Sequence, residues 1–298
     1  MKTYSKMPGV GGKPRYIVCP LCGSTSFKKK WRVDGVVFVY CRNCGLVVQN
    51  PRPTSFGERY DEEYFEYEIA NQENFFDLML KGLDDAAFFE ELVPTLPNHR
   101  RILDIGCATG RLLHHFKVLG WDTAGVDLCS KSAAYGNREY GVNIVAKALD
   151  DAAFPEEFFS VAHASHLIEH VGNPSELVRE VARILLPGGV FICVTPTLDG
   201  LQARILGSRW RSAIPDHMTL FSKATLTMLL EGAGFGIELV RSWGGIAEGM
   251  VPGWLKRSID GIAKRFNFGD VLLVVARKPK MRTAWTAVNS KSAGSGSA

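Results

Sequence analysis

Arg101-Ile102-Leu103-Asp104-Ile105-Gly106-Cys107-Ala108-Thr109-Gly110 is the stretch that decides the reading of this 298-residue chain. An apolar run enters a turn of small residues, and an amphipathic segment, 109–119, follows. A strand that ends in such a turn and opens a helix lets the backbone approach a ligand closely. The dinucleotide fingerprint needs small residues at its first, third and sixth positions. Here those are Gly106, Ala108 and Arg111, and an arginine at the sixth position obstructs close helix–strand packing. An acid followed by GxGxG fits with one change: Asp104, Gly106, Ala108, Gly110. A carboxylate beside the turn suits a cationic amino-acid headgroup and disfavours a pyrophosphate. Asp127 lies 21 residues after Gly106, at the end of the next apolar run. A carboxylate there can accept both hydroxyls of a ribose. Either acid alone reads equally well as a solvated strand end; the pair at this spacing does not.

Outward from the turn, short apolar runs alternate with amphipathic ones. Strands are expected at 101–105, 123–126, 143–146, 161–164, 190–195, 236–241 and 271–277. Helices are expected at 109–119, 131–140, 174–186 and 223–231, the third stopped by Pro187-Gly188-Gly189. This alternation implies an α/β fold with a parallel sheet covered on both faces.

Upstream, Cys19-Pro-Leu-Cys22 and Cys41-Arg-Asn-Cys44 are separated by 18 residues. Two CxxC knuckles at this spacing read as a four-thiolate zinc site, closed and therefore structural. Gly23 and Gly45 follow the knuckles, where a tight turn brings backbone amides to the sulfurs. Cys107, Cys129 and Cys193 stand alone, and an odd count argues against a disulfide framework. Lys28, Lys29, Lys30 and Arg32 flank Phe27 and Trp31. This strip reads as the exposed edge of a small domain or as a nucleic-acid surface.

Charge is unevenly spread. Residues 1–52 hold ten Lys/Arg and one acid, Asp34, for a net +9; residues 58–91 hold twelve acids and two bases, for −10. The simpler reading is a basic head folded against the acidic stretch; the sharper one is a basic surface for an anionic partner. There is no bilayer-length apolar run and no secretory leader, so a cytoplasmic location is expected.

The chain resembles the class I S-adenosylmethionine-dependent methyltransferases, most of all the subgroup with an N-terminal zinc-binding segment and a ubiquinone-methyltransferase-like core. The resemblance rests on the paired cysteines, Tyr60-Asp61-Glu62-Glu63-Tyr64-Phe65 and the turn at 103–110. It continues through His166-Leu167-Ile168-Glu169-His170, Leu186-Pro187-Gly188-Gly189, His217 with Phe221-Ser222, and Ala233-Gly234-Phe235. It implies a Rossmann-like seven-stranded sheet with its last strand antiparallel, S-adenosylmethionine as cofactor and structural Zn2+ on Cys19, Cys22, Cys41 and Cys44. The turn, with Asp104, Gly106, Cys107, Ala108 and Gly110, would hold the methionine moiety. Asp127 and Leu128 would meet the ribose, and Ala148 and Leu149 the adenine. Many members carry an acid where Ala148 stands, so adenine contact would fall to backbone groups. The expected organisation is a leader at 1–16, a zinc ribbon at 17–53 and an acidic helical segment at 54–97. A methyltransferase domain at 98–279 and a disordered Ser/Gly/Ala-rich tail at 280–298 complete it.

Methyl transfer from a sulfonium needs mainly alignment, and a hydroxyl acceptor also needs a base. His166, His170 and His217 are the candidates, with Glu169 beside them, because 165–170 begins where open α/β sheets bind ligands. Each has a structural alternative in bracing the loop or capping a helix. Some quinone-pathway relatives bind a divalent metal through Glu-xxx-Glu-His; Ser165 stands at the first position, so only Glu169 and His170 of that pattern remain. Residues 198–215, with Trp210, Arg204, Arg209 and Arg211, read as a lid. The amphipathic stretch 254–266 would pack on its own domain or meet a membrane surface. The acceptor is expected to be a small molecule, glycan or lipid-like compound methylated on O, N or C. A ribbon-guided RNA methyltransferase and a non-catalytic cofactor-binding adaptor are the alternatives.

Overall fold

Asp34 and Gly35, both left-handed (φ 44° and 87°), close a two-residue hairpin between β1 (Phe27–Val33) and β2 (Val36–Cys41), the geometry a tight antiparallel turn demands. A third strand, β3 (Val47–Gln49), pairs with β2. The computed structural model describes residues 15–52, 62–97, 99–244, 261 and 268–280. Most of the expected leader, Tyr60 and Asp61, the stretch 254–266 apart from Gly261, and the tail from 281 lie outside the described residues.

The acidic segment forms α1 (Glu62–Asp85). Ala87, left-handed at φ 47°, breaks it before a widened turn at Phe88–Leu92. Phe76, Leu83, Phe88 and Leu92 are buried with Ile102, Leu112, Phe116 and Trp121, so α1 is fastened to the sheet domain. Its charges follow: Glu73 pairs with Arg111 at 3.0 Å and Glu62 with Lys131. Among the described residues these ion pairs of α1 run to the sheet domain and not to the basic head. Lys28, Lys29, Lys30 and Arg32 instead stay exposed on β1.

The main domain runs β4 (Arg101–Ile105), α2 (Arg111–Val118), β5 (Asp122–Val126), α3 (Ser130–Glu139), β6 (Ile144–Val145) and β7 (Phe159–Ser165). It continues through α4 (Pro174–Ile184), β8 (Leu185–Pro196), α5 (Leu201–Leu206), β9 (Thr219–Leu220), α6 (Lys223–Gly232), β10 (Gly236–Trp243) and β11 (Val271–Arg277). Seven strands form one sheet in the order β10-β11-β8-β7-β4-β5-β6. β4 to β8 are parallel, and β11 is antiparallel to both of its neighbours. Strands β7, β8 and β11 are buried almost throughout, as a sheet covered on both faces requires. Pro187-Gly188-Gly189 is not a turn between helix and strand. β8 begins directly after α4 and carries these residues as an irregularity, with Leu185 opposite Phe159 but Val190 opposite Val161. Strand order reverses between β4 and β7, which opens a crevice at their carboxyl ends.

β9 leaves the main sheet and pairs with β3, Val47 opposite Leu220 and Val48 opposite Thr219, giving a second sheet β1-β2-β3-β9. Trp210, 1% exposed, packs there with Val36, Phe38, Val47, Ala203 and Leu220. The segment 198–215 is thus the joint between ribbon and main domain. It is not a lid, because the β3–β9 pairing turns its apolar side onto the ribbon.

Candidate active site and cysteine centre

The turn after β4 needs glycine twice. Gly106 and Gly110 are left-handed (φ 71° and 74°), and a Cβ would come within 2.9 Å of Leu167 at the first and 2.7 Å of Ile144 at the second. Ala108 is also left-handed, φ 48°, a conformation that costs an L-residue about 1–2 kcal/mol. What holds it is Asp127: its Oδ2 accepts the Ala108 amide and its Oδ1 the Cys129 amide, both at 2.8 Å. Burial raises the Asp127 carboxyl from its ordinary value, and the two amides oppose that.

A cleft of about 400 Å³ starts here. Gly106, Asp127, Leu128, Ala148 and Leu149 line it. Asp104, Cys107, Ala108 and Gly110 do not; they lie behind the lining and shape it. Asp104 is buried with Oδ1 at 2.7 Å from His163 Nδ1, and its Oδ2 has no partner. Burial, with Asp104 and Asp127 nearby, pushes the Cys107 thiol well up.

Sequence reading missed three contributors. Tyr64 of α1 lines the cleft. One turn on, Glu68 is 4% exposed and accepts from the Ser132 hydroxyl; burial first, and Asp127 second, push its carboxyl up to about 7. Gly136 of α3 touches the turn so closely that a Cβ would lie 2.3 Å from the Thr109 carbonyl oxygen. The i, i+4 pair Tyr64 and Glu68 was the available signal, hidden within an acidic run.

Beyond the turn, the cleft passes His166 and His170 and continues along Gly172, Asn173, Glu176, Asp216 and Met218. His166 follows β7 directly and is left-handed at φ 53°. Its Nδ1 lies 3.3 Å from Glu169 Oε1. Glu169 is 1% exposed and accepts from Thr195 Oγ1 at 2.8 Å. Burial alone would raise its carboxyl; His166, then His170 and His217, outweigh that and hold it at about 2. His170 Nδ1 lies 3.0 Å from the Asp216 carbonyl, and His217 Nδ1 2.8 Å from that of Ser212. A carbonyl only accepts, so both Nδ1 atoms carry a proton, and in a neutral ring the lone pair then sits on Nε2. His217 is buried behind His170, ring centroids 4.6 Å apart, and does not line the cleft. Burial and His170 lower it to about 4. The donor atoms of Glu169, His170 and His217 lie within 4.8 Å of one another, a set able to take a divalent cation and different from the Glu-xxx-Glu-His pattern.

The four N-terminal cysteines converge. Cys19 and Cys44 sulfurs are 3.5 Å apart, as are those of Cys22 and Cys41, and all four lie within 4.8 Å. Zinc–sulfur bonds of about 2.3 Å in a tetrahedron place sulfurs about 3.8 Å apart. Amides of Cys22 and Leu21 reach the Cys19 sulfur, and those of Cys44 and Asn43 the Cys41 sulfur. Gly23 and Gly45 are left-handed (φ 71° and 80°) as the knuckles require. The donor set fits a closed four-thiolate zinc ion.

A family profile described as a methyltransferase domain matches residues 77–240, more than half of the chain. The chain belongs to this family, and its sheet topology is that of the class I S-adenosylmethionine-dependent methyltransferase fold. The ubiquinone biosynthesis O-methyltransferase of Maricaulis maris is 34% identical over 120 residues, 37% of this chain and 46% of that one. The sterol 4-C-methyltransferase strm-1 of Caenorhabditis elegans is 31% identical over 97 residues, 30% of this chain and 29% of that one. The chain spans about half the length, or less, of these curated relatives. A SAM-dependent methyltransferase structure from Archaeoglobus fulgidus superposes with a TM-score of 0.52 at 22% identity, over 73% of this chain and all of that one; this likeness concerns the fold alone. The residues present fit the family's cofactor. The glycine at 106 leaves the space a Cβ would fill, and Asp104, Asp127 and Glu68 surround the turn with the sign a sulfonium and an ammonium require. Among the described residues, no helix is long and apolar enough to cross a membrane.

Proposed function

We propose that the protein transfers the methyl group of S-adenosylmethionine to a hydroxyl of a small-molecule acceptor bound beside His166 and His170. One observation carries this reading: a single cleft joins Gly106 and Asp127 to the two imidazoles, with ionised Glu169 behind them. S-adenosylmethionine, when bound, supplies a methyl group already activated on a sulfonium. Gly106 would let the backbone close on its methionine end, Asp127 would accept the ribose hydroxyls, and backbone at Ala148 and Leu149 would meet the adenine. With the Nδ1–H of His166 directed at the Glu169 carboxylate, Nε2 keeps the lone pair and would serve as the base that removes the acceptor's hydroxyl proton. His170, its Nδ1 tied to the Asp216 carbonyl, would orient the acceptor from the other side. His217 stays neutral and buried and supports His170.

The cleft wall includes Asp127, Asp150, Glu176, Glu180 and Asp216 against one lysine, Lys147. That is the wrong sign for a phosphodiester backbone and favours a neutral or cationic acceptor over RNA. The O-methyltransferase relative supports oxygen as the accepting atom. We assign zinc to the four cysteines as a structural ion, and residues 17–53 and 98–279 as ribbon and methyltransferase domain.

Calorimetric titration with S-adenosylmethionine and, separately, NADH tests the cofactor, beside Asp127→Ala. Micromolar binding of the first alone, lost in the variant, is expected. Release of S-adenosylhomocysteine is then followed across catechols, phenols and amines. Binding without turnover on any acceptor would replace the enzyme reading with that of a cofactor-binding adaptor.

A further inference from the structure

Gln49 ends β3 and is buried, 0% exposed. Its main-chain amide donates to the Met218 carbonyl at 2.9 Å and so extends the β3–β9 pairing by one residue. Its side chain does something different. Nε2 donates to two carbonyls at once, Pro215 at 2.6 Å and His217 at 3.0 Å. Both only accept, which sets the orientation of the amide. Oε1 is buried with no partner among the described residues. A buried amide that leaves its own oxygen unsatisfied is a costly way to fill space. What it contributes is the pair of donors.

Those two carbonyls flank a third. Asp216 lies between Pro215 and His217, in a turn outside any helix or strand. Its carbonyl accepts His170 Nδ1 at 3.0 Å. The turn has one main-chain bond of its own, from the His217 amide to the Ile214 carbonyl at 3.1 Å. Arg52, 5% exposed, secures the same joint. It donates from Nε to the Gln49 carbonyl at 3.3 Å, and from Nη2 to the Met218 carbonyl and Thr219 Oγ1 at 3.3 and 3.1 Å. From Nη1 it reaches the Gly172 carbonyl, two residues past His170.

We propose that Gln49 is a positioning residue that sets the tautomer and direction of His170 from the ribbon. By holding the carbonyls on either side of Asp216, it turns the one between them to His170. The hydrogen bond that a ring nitrogen makes decides which nitrogen carries the proton. With Nδ1–H tied to Asp216, Nε2 of the neutral ring is the atom left for the cleft. The ribbon is thus part of the acceptor side of the site through one amide group. The inference rests on reading His170 as the imidazole that orients the acceptor.

The test follows the His170 ring in the full chain, as wild type, Gln49→Met, Gln49→Asn and Val48→Ala. With histidine labelled at its ring nitrogens, long-range proton–nitrogen spectra at about pH 8.5, above the ordinary imidazole range, report which nitrogen is protonated. His170→Gln assigns the signal. Wild type should show the Nδ1–H form. Gln49→Met keeps the length of the side chain without a donor. Its ratio of Nδ1–H to Nε2–H should fall about tenfold, the scale of one hydrogen bond. Val48, 0% exposed, lies on the same strand. Val48→Ala loosens that strand by a cavity but keeps both donors. It should speed hydrogen exchange at 214–221 as Gln49→Met does, while His170 stays in the Nδ1–H form. S-adenosylmethionine affinity, read by calorimetry, should stay within about twofold of wild type in both. A wild-type His170 protonated at Nε2, an unchanged ratio in Gln49→Met, or an equal shift in Val48→Ala would overturn the proposal. If Gln49→Met does not fold, Gln49→Asn, too short to reach both carbonyls, decides by the same ratio. No acceptor enters these measurements. A chain that methylates no hydroxyl therefore overturns the reading of the cleft, while the hold of Gln49 on His170 stands or falls by the spectra.

Discussion

The two ends of the cleft are built differently. The turn end is made of backbone. Gly106 and Gly110 supply left-handed φ angles, Asp127 ties the Ala108 and Cys129 amides, and residues within about one βαβ unit do most of the work. The histidine end is made of side chains from four remote segments. Arg52 and Gln49 come from the ribbon, Glu169 and His170 from the loop after β7, Thr195 from β8, and His217 from the segment before β9. A site made of backbone tolerates many side chains and fails through Cβ atoms. A site made of side chains fails one residue at a time, and each failure leaves the other end standing.

The strongest test of this contrast is His166→Ala. Loss of a general base should lower kcat about a hundred- to ten-thousandfold, while S-adenosylmethionine affinity, measured by calorimetry, stays near wild type. Equal loss of cofactor binding would mean that the two ends are one unit. Asp127→Ala comes next. It removes the ligand for two buried amides as well as the carboxylate expected to meet the ribose, so cofactor affinity should fall about a hundredfold, on the scale of a charged hydrogen bond or two. Hydrogen exchange at 214–221 should not change.

Glu68 sharpens the comparison through pH. Its folded carboxyl, at about 7, lies above the ordinary value of 4.5. Between those values the folded chain keeps a proton that the unfolded chain has lost, so this group's contribution to stability falls as pH rises through that window. Glu68→Gln removes the penalty. Its advantage over wild type in denaturant melts should be absent below pH 4.5 and should grow to roughly 2–3 kcal/mol above neutrality. A cationic cofactor favours the ionised form, so binding at neutral pH should release protons, seen as buffer-dependent binding enthalpy that Glu68→Gln abolishes. The smallest effect is expected from Ala108→Gly. It relieves a left-handed alanine worth about 1–2 kcal/mol, offset by the greater freedom of unfolded glycine. The melting temperature should rise by a few degrees at most, with cofactor affinity unchanged.

Much of this molecule was legible in its sequence, and the legible part has one physical character. The turn at 101–110, the acid 21 residues beyond Gly106 and the two CxxC knuckles are short-range constraints. Each works through backbone geometry or metal coordination that a fixed spacing expresses, so order and interval alone determined the sheet domain and the four-cysteine centre. Only the tertiary structure decided the rest. Gln49 meets His217 across 168 residues, Arg52 sits under Gly172 and Met218, Glu68 faces Asp127, and Trp210 seals the joint with the ribbon. These are packings of single side chains between segments distant in the chain. They obey no period and leave no local mark, because what places each one is the shape of the surface that folding brings to it.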